Sequence, residues 1–474
     1  MRDLILLGLL VPLCLMSLKR PWIGIIAWVW VSLMNPHRYT YGFAYSQPWA
    51  QIIAVCFFVG LLFERKRYPV FAGSPVVLLA AFCAWITISW LMGVDVDGDF
   101  EQWTKVAKIM LMVFMAFAVM RTKEHIFALV WVCALSIGLL GAKGGIFTIA
   151  HGGVHHVEGP PGSLIGDNNE FALAVVCIIP LLNFLRQQVL SRTGKNILLG
   201  LTVLCAASAL GSQSRGALLA ITAMLLLMWW RGGSRLGGAV VIGGLGVLLV
   251  GFMPDEWGQR MNTIGEYADD RSSMNRISAW WTAWGIAKNY VFGAGMRFSR
   301  PYFFEAYSPM PENGVWAAHS IYFQMLGNHG FIGLILFLLV LYSIWASAVR
   351  TRKAARNKPE LLWCLQLASM CQASLIGFVA GGAFLSLAYF DYPYYLLVIV
   401  VLVEVWVKQE RWREIPAAIK RRWTIPGLGV PQAAAVVQFK QPEIAAAMSE
   451  PSGGADRGGP GTRVQDPTPS GGLR

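Results

Sequence analysis

Long apolar stretches recur along most of the chain, and this repetition restricts what the chain can fold into more than any other feature. Each has roughly 15–25 residues, close to what a helix needs to cross a hydrocarbon core of ~30 Å. Only 14% of the residues are charged, whereas a soluble domain usually carries ~25%. The sequence therefore predicts an all-α, polytopic integral membrane protein with about 12–13 transmembrane helices. The stretches lie at 4–18, 22–34, 48–63, 74–92, 103–120, 125–149, 170–185, 196–210, 216–230, 236–252, 320–346, 362–387 and 389–407.

The short loops between these stretches alternate between basic and non-basic ones. Short cytoplasmic loops accumulate Lys and Arg, so the basic set predicts the cytoplasmic side. That set consists of Lys19 and Arg20, residues 65–67, Arg121 and Lys123, Arg186, Arg192 and Lys195, Arg231 and Arg235, and residues 350–356. The opposite loops carry few cations and predict the periplasmic side. The net charge of +13 follows from this asymmetry and requires no nucleic-acid partner.

These patterns divide the chain into four regions. Residues 1–252 are predicted to form the N-terminal transmembrane helices, 253–318 one long periplasmic loop, 319–407 the C-terminal transmembrane helices and 408–474 a cytoplasmic tail. The end of the tail is rich in Pro, Gly and Ser, so the tail is predicted to be largely disordered. The first residues lack the features of a removable signal peptide. The eight cysteines all lie in apolar stretches without CxxC spacing, which favours neither disulfides nor a zinc site.

The long loop contains an amphipathic segment at 272–288. Its apolar residues at 277, 280, 281 and 284 have the spacing of one helix face. Tryptophans suit the headgroup layer, so we expect this helix to lie flat on the outer membrane surface. Ser272 or Ser273 could cap it, which would place Arg276 in the first turn, where the helix dipole disfavours a cation. Arg276 is either a surface residue paired with Asp269 or Asp270 or part of an anion site.

Arg215 lies in a very short loop on the side where cations are scarce. It is either a snorkelling or paired arginine, or a guanidinium that can hold two phosphate oxygens at once. Lys108 and Lys143 are predicted near the outer ends of their apolar stretches, where they either snorkel or add to the same positive pocket.

His319 ends the long loop, just where an apolar helix is predicted to begin. A helix N-terminus disfavours the imidazolium, so this histidine is either a neutral proton acceptor or an anchor at the membrane interface. His329 is ~15 Å further along that predicted helix and on another face, so the two cannot form a pair on it. Asn168 and Asn169 either cap the helix that follows them or bind sugar hydroxyls.

Three histidines in the loop at 151–170 suggest a metal site at first sight. Their spacing matches no standard zinc pattern, and no HExxH motif accompanies them. The sequence therefore predicts neither a metal nor a cofactor.

The order of these pieces resembles the O-antigen ligase and polymerase superfamily of bacterial membrane glycosyltransferases. The resemblance is carried by Ser214-Arg215-Gly, by Arg276 with the nearby Ala-Trp-Trp, by Gly293-Ala-Gly295, and by the run His319-Ser-Ile-Tyr322-Phe-Gln-Met-Leu-Gly. More narrowly, Asn35-Pro-His-Arg, Gly141-Ala-Lys-Gly-Gly, Gly159-Pro-Pro-Gly-Ser and Gly166-Asp-Asn-Asn are similar to the putative O-glycosylation ligases found with exosortase systems. The similarity ends at about residue 407, before the tail.

The resemblance implies a glycan donor linked to undecaprenyl diphosphate, in the bacterial inner membrane, and an acceptor on lipid A–core or protein in the periplasm. It implies His319 as the catalytic base and Arg215 and Arg276 as catalytic residues that bind the donor diphosphate. Two guanidinium groups could replace a divalent cation. We add Lys108, Lys143, Asn168, Asn169 and Tyr322 as predicted substrate-binding residues. One departure is that the family's usual His-Asn pair is His-Ser here, so that asparagine's contribution is missing.

Three functions fit this sequence. The first is a ligase that transfers a whole glycan to lipid A–core or protein, and the second is a polymerase that uses the same donor with a second lipid-linked glycan as acceptor. The third is a flippase or transporter, which should place ionisable groups near the bilayer midplane. The candidate basic residues are predicted at the outer boundary, and only His329 favours transport.

Overall fold

A computed structural model describes residues 1–64, 73–231 and 271–413, and its regular elements in these ranges are helices, without a strand. This confirms the predicted all-α class. The α-helices are α1 (Arg2–Lys19), α2 (Pro21–Met34), α3 (Trp49–Phe63), α4 (Ser74–Leu91), α5 (Val96–Val119), α6 (Lys123–Ala150), α7 (Asn168–Gln188), α8 (Arg192–Gly211), α9 (Arg215–Arg231), α10 (Arg271–Asn289), α11 (Pro301–Tyr307), α12 (Ile321–Ala355), α13 (Leu362–Gly382) and α14 (Tyr392–Lys408).

Seven of the described helical segments are long and apolar enough to cross a membrane: α4 to α8, α12 and the segment Pro359–Gly382 that contains α13. The chain is thus a multi-pass membrane protein. Helices α2 and α3 are apolar but shorter. The predicted crossing at 236–252 lies outside the described residues, as do most of the tail and the start of the long loop. The total of 12–13 crossings stays a prediction.

The basic loops that the structure describes meet at one end of the helix bundle, which we call the basic end. There the Arg411 guanidinium donates to the Arg121 carbonyl at 2.7 Å, and the Lys123 ammonium lies 5.0 Å from the Trp363 ring centroid. The other loops contact one another at the opposite end. For example, Gln213 donates to the Gly153 carbonyl at 2.9 Å. Within the described residues, the two sets of loops are therefore separated as the charge pattern predicts.

The loop that follows α10 is fixed to the start of α5 by a buried ion pair. Arg300 contacts Asp99 at 2.8 Å and also Asp95. The Asp99 side chain is only 1% exposed and accepts a further bond from the Met296 N–H at 2.9 Å. Residues that follow α10 thus supply the cation that balances these two aspartates.

Helix α12 is not continuous. Gly330 has φ 67° and ψ −172°, which no residue inside an α-helix adopts, so the helix consists of a first segment, 321–329, and a second segment, 331–355. A Cβ at Gly330 would lie 2.4 Å from the Val291 carbonyl oxygen, so only glycine fits there. The predicted continuous helix from 320 to 346 is therefore wrong, and His329 ends a short first segment.

Helix α10 exists as predicted and packs against the first segment of α12. Its protein-facing side is made of small residues, including Ser278, Ala279, Thr282 and Ala283, all fully buried. Trp280 stacks on Phe323 with ring centroids 4.9 Å apart. Trp281 and Trp284 are 57% and 38% exposed, and Trp284 also packs edge-on against Phe331 with ring centroids 5.4 Å apart. The exposed tryptophans suit the predicted headgroup position of this helix.

Candidate functional site

The first turns of three helices meet at the opposite end of the bundle. These are α7, α9 and the first segment of α12. The Asn168 amide in α7 donates to the Ser212 carbonyl, just before α9, at 2.8 Å. The end of α13 packs closely against both α9 and α12. A Cβ added at Gly382 in α13 would lie 2.6 Å from Cδ1 of Ile321 in α12. A Cβ added at Gly216 in α9 would lie 3.6 Å from the Gly381 oxygen in α13. We call residues 167–170, 212–216 and 319–321 the convergence site.

Asp167 begins α7 as its N-cap. Its carboxylate accepts a bond from the Asn169 N–H at 2.9 Å. The Asn169 side-chain amide donates to Asp167 at 3.1 Å and to Asn168 at 3.0 Å. The capping role that the sequence left open for the two asparagines therefore belongs to Asp167, and the asparagines connect neighbouring groups. A role in binding sugar hydroxyls stays a prediction.

Arg215 is the first residue of α9 and is exposed. The Ser214 hydroxyl accepts from the Ala217 N–H at 3.3 Å and so caps the helix. Gln213, just before it, has a left-handed backbone with φ 54°. A cation at the start of a helix adds to the positive end of the helix dipole, which is a suitable place for an anion.

His319 precedes Ser320, which occupies the N-cap position of α12. Its φ of 43° lies in the left-handed region, which costs a non-glycine residue about 1–2 kcal/mol. Burial and the nearby Arg276 charge lower the pKa of His319, while the Asp167 carboxylate acts in the opposite direction. The imidazole is therefore neutral near pH 7 and able to accept a proton. Burial and Arg276 thus act in the same direction as the helix N-terminus on which the prediction relied.

The Asp167 carboxyl group has a lowered pKa. Burial alone would raise it, but hydrogen bonds with Glu170 and Asn169 and the nearby His319 outweigh burial. The convergence site therefore places a carboxylate, a neutral imidazole and the Arg276 guanidinium within electrostatic reach of one another.

Several buried polar atoms beside these residues have no hydrogen-bond partner within the described ranges: Glu170 Oε2, Asn275 Oδ1, Ser320 Oγ and Ser386 Oγ. Glu170 and Asn275 are only 9% and 6% exposed. The Glu170 carboxyl adjoins that of Asp167 and the Ser386 backbone. Because buried polar groups are nearly always paired in native proteins, these four atoms offer hydrogen-bonding capacity beside the convergence site. Sequence reasoning missed Glu170, since nothing in its spacing separates it from an ordinary first-turn acid.

Arg276 lies beyond the first turn of α10, because the helix already includes Arg271, where the described residues resume. The predicted caps Ser272 and Ser273 are therefore inside the helix. Asp269 and Asp270, the partners considered for Arg276, lie outside the described residues. Arg276 is connected to the convergence site by its positive charge, which lowers the pKa of His319.

The other predicted substrate-binding residues have contacts of their own. Lys108 was predicted near the outer end of its helix. Helix α5 begins at Val96 rather than near residue 103, so Lys108 instead lies near the middle of the helix. The Lys143 ammonium lies 4.5 Å from the Tyr39 ring centroid at the opposite end. The Tyr322 hydroxyl donates to the Val379 carbonyl at 2.8 Å, which joins α12 to α13. Their roles toward substrate stay predictions.

His329 belongs to a buried polar network that the sequence did not reveal. It is fully buried, with Nδ1 2.7 Å from the Ser89 hydroxyl and Nε2 2.7 Å from the Tyr389 hydroxyl. Asn328 donates to Tyr389 at 2.9 Å and to the Met296 carbonyl at 2.8 Å. Both imidazole nitrogens are engaged, so His329 holds the break in α12 to α4 and the loop before α14.

Within the described ranges, no group of three or more His, Cys, Asp or Glu residues is placed to hold a metal ion. The histidines at 151 and 155 contact each other only as rings, with centroids 5.8 Å apart.

Two protein families match the chain. The O-antigen ligase family matches residues 200–338, and a family of unknown function matches residues 1–190. The chain therefore carries an O-antigen ligase domain, which supports its place in the O-antigen ligase/polymerase superfamily. None of the curated proteins compared matches the chain. Arg215, Arg276 and His319 all fall inside the O-antigen ligase match, whereas Asp167 and Glu170 fall inside the other.

Proposed function

We propose that this membrane protein transfers a glycan from undecaprenyl diphosphate to a hydroxyl group of lipid A–core or of a protein. The observation that carries the proposal is the convergence of three helix starts around a neutral His319, with Arg215 on one of them, in an O-antigen ligase domain. Glycosyltransferase-like chemistry at the family level is supported by the domain match. The donor, the acceptor and the residue roles are our proposal.

The diphosphate is the leaving group, so its negative charge must be stabilised as the bond between the sugar and the phosphate breaks. Arg215 offers a guanidinium at the N-terminal end of α9, and each helix start favours an anion by about 0.3–1 kcal/mol. Arg276 adds a second guanidinium, and paired guanidinium groups bind phosphate oxygens with good geometry. The proposal therefore needs no divalent cation.

His319 acts as the general base. The acceptor hydroxyl gives its proton to the neutral imidazole while its oxygen forms the new bond to the anomeric carbon, and the bond to the phosphate oxygen breaks. Undecaprenyl diphosphate leaves with the electron pair. The imidazolium that forms is stabilised by the Asp167 carboxylate, whose charge already acts on His319.

A polymerase would use the same donor and the same residues, and only the acceptor would differ. The transport alternative rested on His329, and the bonds of both its ring nitrogens count against it, because a proton carrier must release and bind protons. We place the convergence site on the periplasmic side of the inner membrane, since the basic end suits the cytoplasm.

The proposal is tested by reconstituting the purified protein with a lipid-linked glycan and with lipid A–core, acceptor protein or a second lipid-linked glycan in separate reactions. We expect product with one of the first two, abolished by Arg215→Ala or Arg276→Ala and partly restored by Lys. Chelation with EDTA should not stop the reaction. Product only with the second lipid-linked glycan would identify a polymerase. Full activity of either Ala variant would remove that arginine from the mechanism.

A further inference from the structure

Two arginines at the basic end share one neutral acceptor. Arg231 is the last residue of α9, and Arg352 lies near the end of α12. Their guanidinium groups both donate to Oε1 of Gln372 in α13, at 2.7 Å and 3.0 Å. Gln372 is fully buried, and its amide donates to the Trp345 carbonyl at 3.3 Å. Two positive charges are thus held together against a single uncharged oxygen.

The cluster has no carboxylate to balance it in the part of the chain that the structure describes. Neither Arg231 nor Arg352 forms an ion pair there, whereas Arg350, two residues before Arg352, contacts Glu404 at 2.6 Å. Nε of Arg352 is buried and has no hydrogen-bond partner among the same residues. A buried guanidinium N–H without an acceptor is costly, and two adjacent guanidinium groups favour an acceptor that carries negative charge.

The surroundings of the two arginines have the character of a lipid headgroup layer. The Arg231 guanidinium lies 5.0 Å from the Trp345 ring centroid, in a cation–π contact. Trp229 and Trp230 precede it, and Trp230 is 87% exposed, as is typical of tryptophan at a membrane interface. Further along the same helices most of the exposed residues are aliphatic or aromatic, with Leu226 47% and Tyr342 65% exposed. A lipid whose anionic headgroup contacts the arginines could therefore place its acyl chains along this apolar surface.

We propose that Arg231, Arg352, Gln372 and Trp345 bind the phosphate of an anionic phospholipid. A phosphodiester carries one negative charge and two free oxygens, so each guanidinium can donate to one of them. The lipid would then bridge α9 and α12, which each pack on α13, at the end remote from the convergence site. This site binds an ordinary membrane lipid and is independent of the glycan donor.

The test compares the purified protein in phosphatidylcholine nanodiscs with and without phosphatidylglycerol, by native mass spectrometry and thermal unfolding. We expect at least one phosphatidylglycerol to be retained and the unfolding midpoint to rise by roughly 2–4 °C. The double variant Arg231→Gln with Arg352→Gln should lose that lipid and the shift. The matched control, Arg192→Gln with Arg356→Gln, removes two exposed charges from the same end and should keep both.

A further arm adds inorganic phosphate to phosphatidylcholine nanodiscs at constant ionic strength. Little or no stabilisation is expected, because free phosphate lacks the apolar chains. If inorganic phosphate stabilised the protein as much as phosphatidylglycerol does, the ligand would be a free anion rather than a lipid, and the proposal would be overturned. Equal losses in the two double variants, or a retained lipid in the Arg231 and Arg352 variant, would also overturn it. If that variant fails to fold, the single substitutions Arg231→Lys and Arg352→Lys provide the test, since each keeps the charge and should weaken lipid retention only partly.

Discussion

The side-chain amide of Asn168 donates to the main-chain oxygen of Ser212 at 2.8 Å. This bond joins the first residue of α7 to the turn that precedes Arg215, across 44 residues of sequence. The amide oxygen of Asn168 in turn accepts from Asn169 at 3.0 Å. Two of the three helix starts in the convergence site are thus held together by one side chain, so the position of Arg215 depends on Asn168.

Replacing Asn168 by Asp should reduce glycan transfer more than it reduces stability. The carboxylate cannot donate to the Ser212 oxygen and repels it, so the turn before Arg215 moves. One such bond contributes about 0.5–1.5 kcal/mol to folding, which a thermal unfolding scan would detect as a small shift. The matched control is Asn289→Asp, which removes an amide-to-carbonyl bond of the same 2.8 Å length within α10. Similar transfer by both variants would show that the Asn168 bond does not position Arg215.

The pH dependence of transfer should follow the two charges that act on His319. Burial and Arg276 lower the pKa of this histidine, and Asp167 opposes them. The acid limb of kcat/KM should therefore lie below the ordinary histidine value of ~6.5. Asp167→Asn keeps an N-cap for α7 but removes the negative charge, so the pKa of His319 falls further and the acid limb moves to lower pH. An acid limb that stays in place or moves to higher pH would contradict a charge interaction between the two residues.

Removal of Arg300 should destabilise the fold strongly. The Asp99 side chain is 1% exposed, and Arg300→Met would leave its carboxylate buried without its cation. Losing one partner of a buried ion pair typically costs about 3–5 kcal/mol. Adding Asp99→Asn to that variant should recover much of the loss, because the charge is gone and an oxygen remains for the Met296 N–H. Thermal unfolding of the variants, with the exposed Arg297→Met as control, measures this. Equal midpoints for Arg300→Met and Arg297→Met would mean that the pair contributes little.

The proposed orientation predicts which loops are accessible from outside. Single cysteines at His155 and Glu312, both exposed at the opposite end, should react with a membrane-impermeant thiol reagent in intact spheroplasts of a cysteine-free variant. A cysteine at the exposed Thr193 of the basic end should react only after the membrane is opened. The reverse pattern would place the convergence site in the cytoplasm and remove the periplasmic acceptors from the proposal.

Much of the helical framework could be predicted from sequence, because apolar length and loop charge are local properties. The positions of α4, α7 and α9 agree with their apolar stretches to within a few residues. The break at Gly330 could not be predicted, since its cause is the close approach of Val291, which is distant in sequence. Lys108 was misplaced because the polar first turns of α5 hid its true start at Val96. Asp167 was missed as a partner of His319 because only the tertiary fold brings α7 to the start of α12.

His319 and His329 should respond differently to the same substitution. General-base assistance typically contributes ~10²–10⁴-fold, so His319→Ala should fold, bind the lipid-linked donor and lose transfer by about that factor. His319→Asn, which tolerates the left-handed backbone of this position (φ 43°), should lose the same activity and so separates backbone strain from chemistry. His329→Ala should instead lower stability by about 1–3 kcal/mol, because the buried Ser89 and Tyr389 hydroxyls lose a partner. Its transfer per folded molecule should fall far less. Equal losses of transfer per folded molecule in the two Ala variants, or loss of donor binding by His319→Ala in proportion to turnover, would make His319 a binding or structural residue rather than the base.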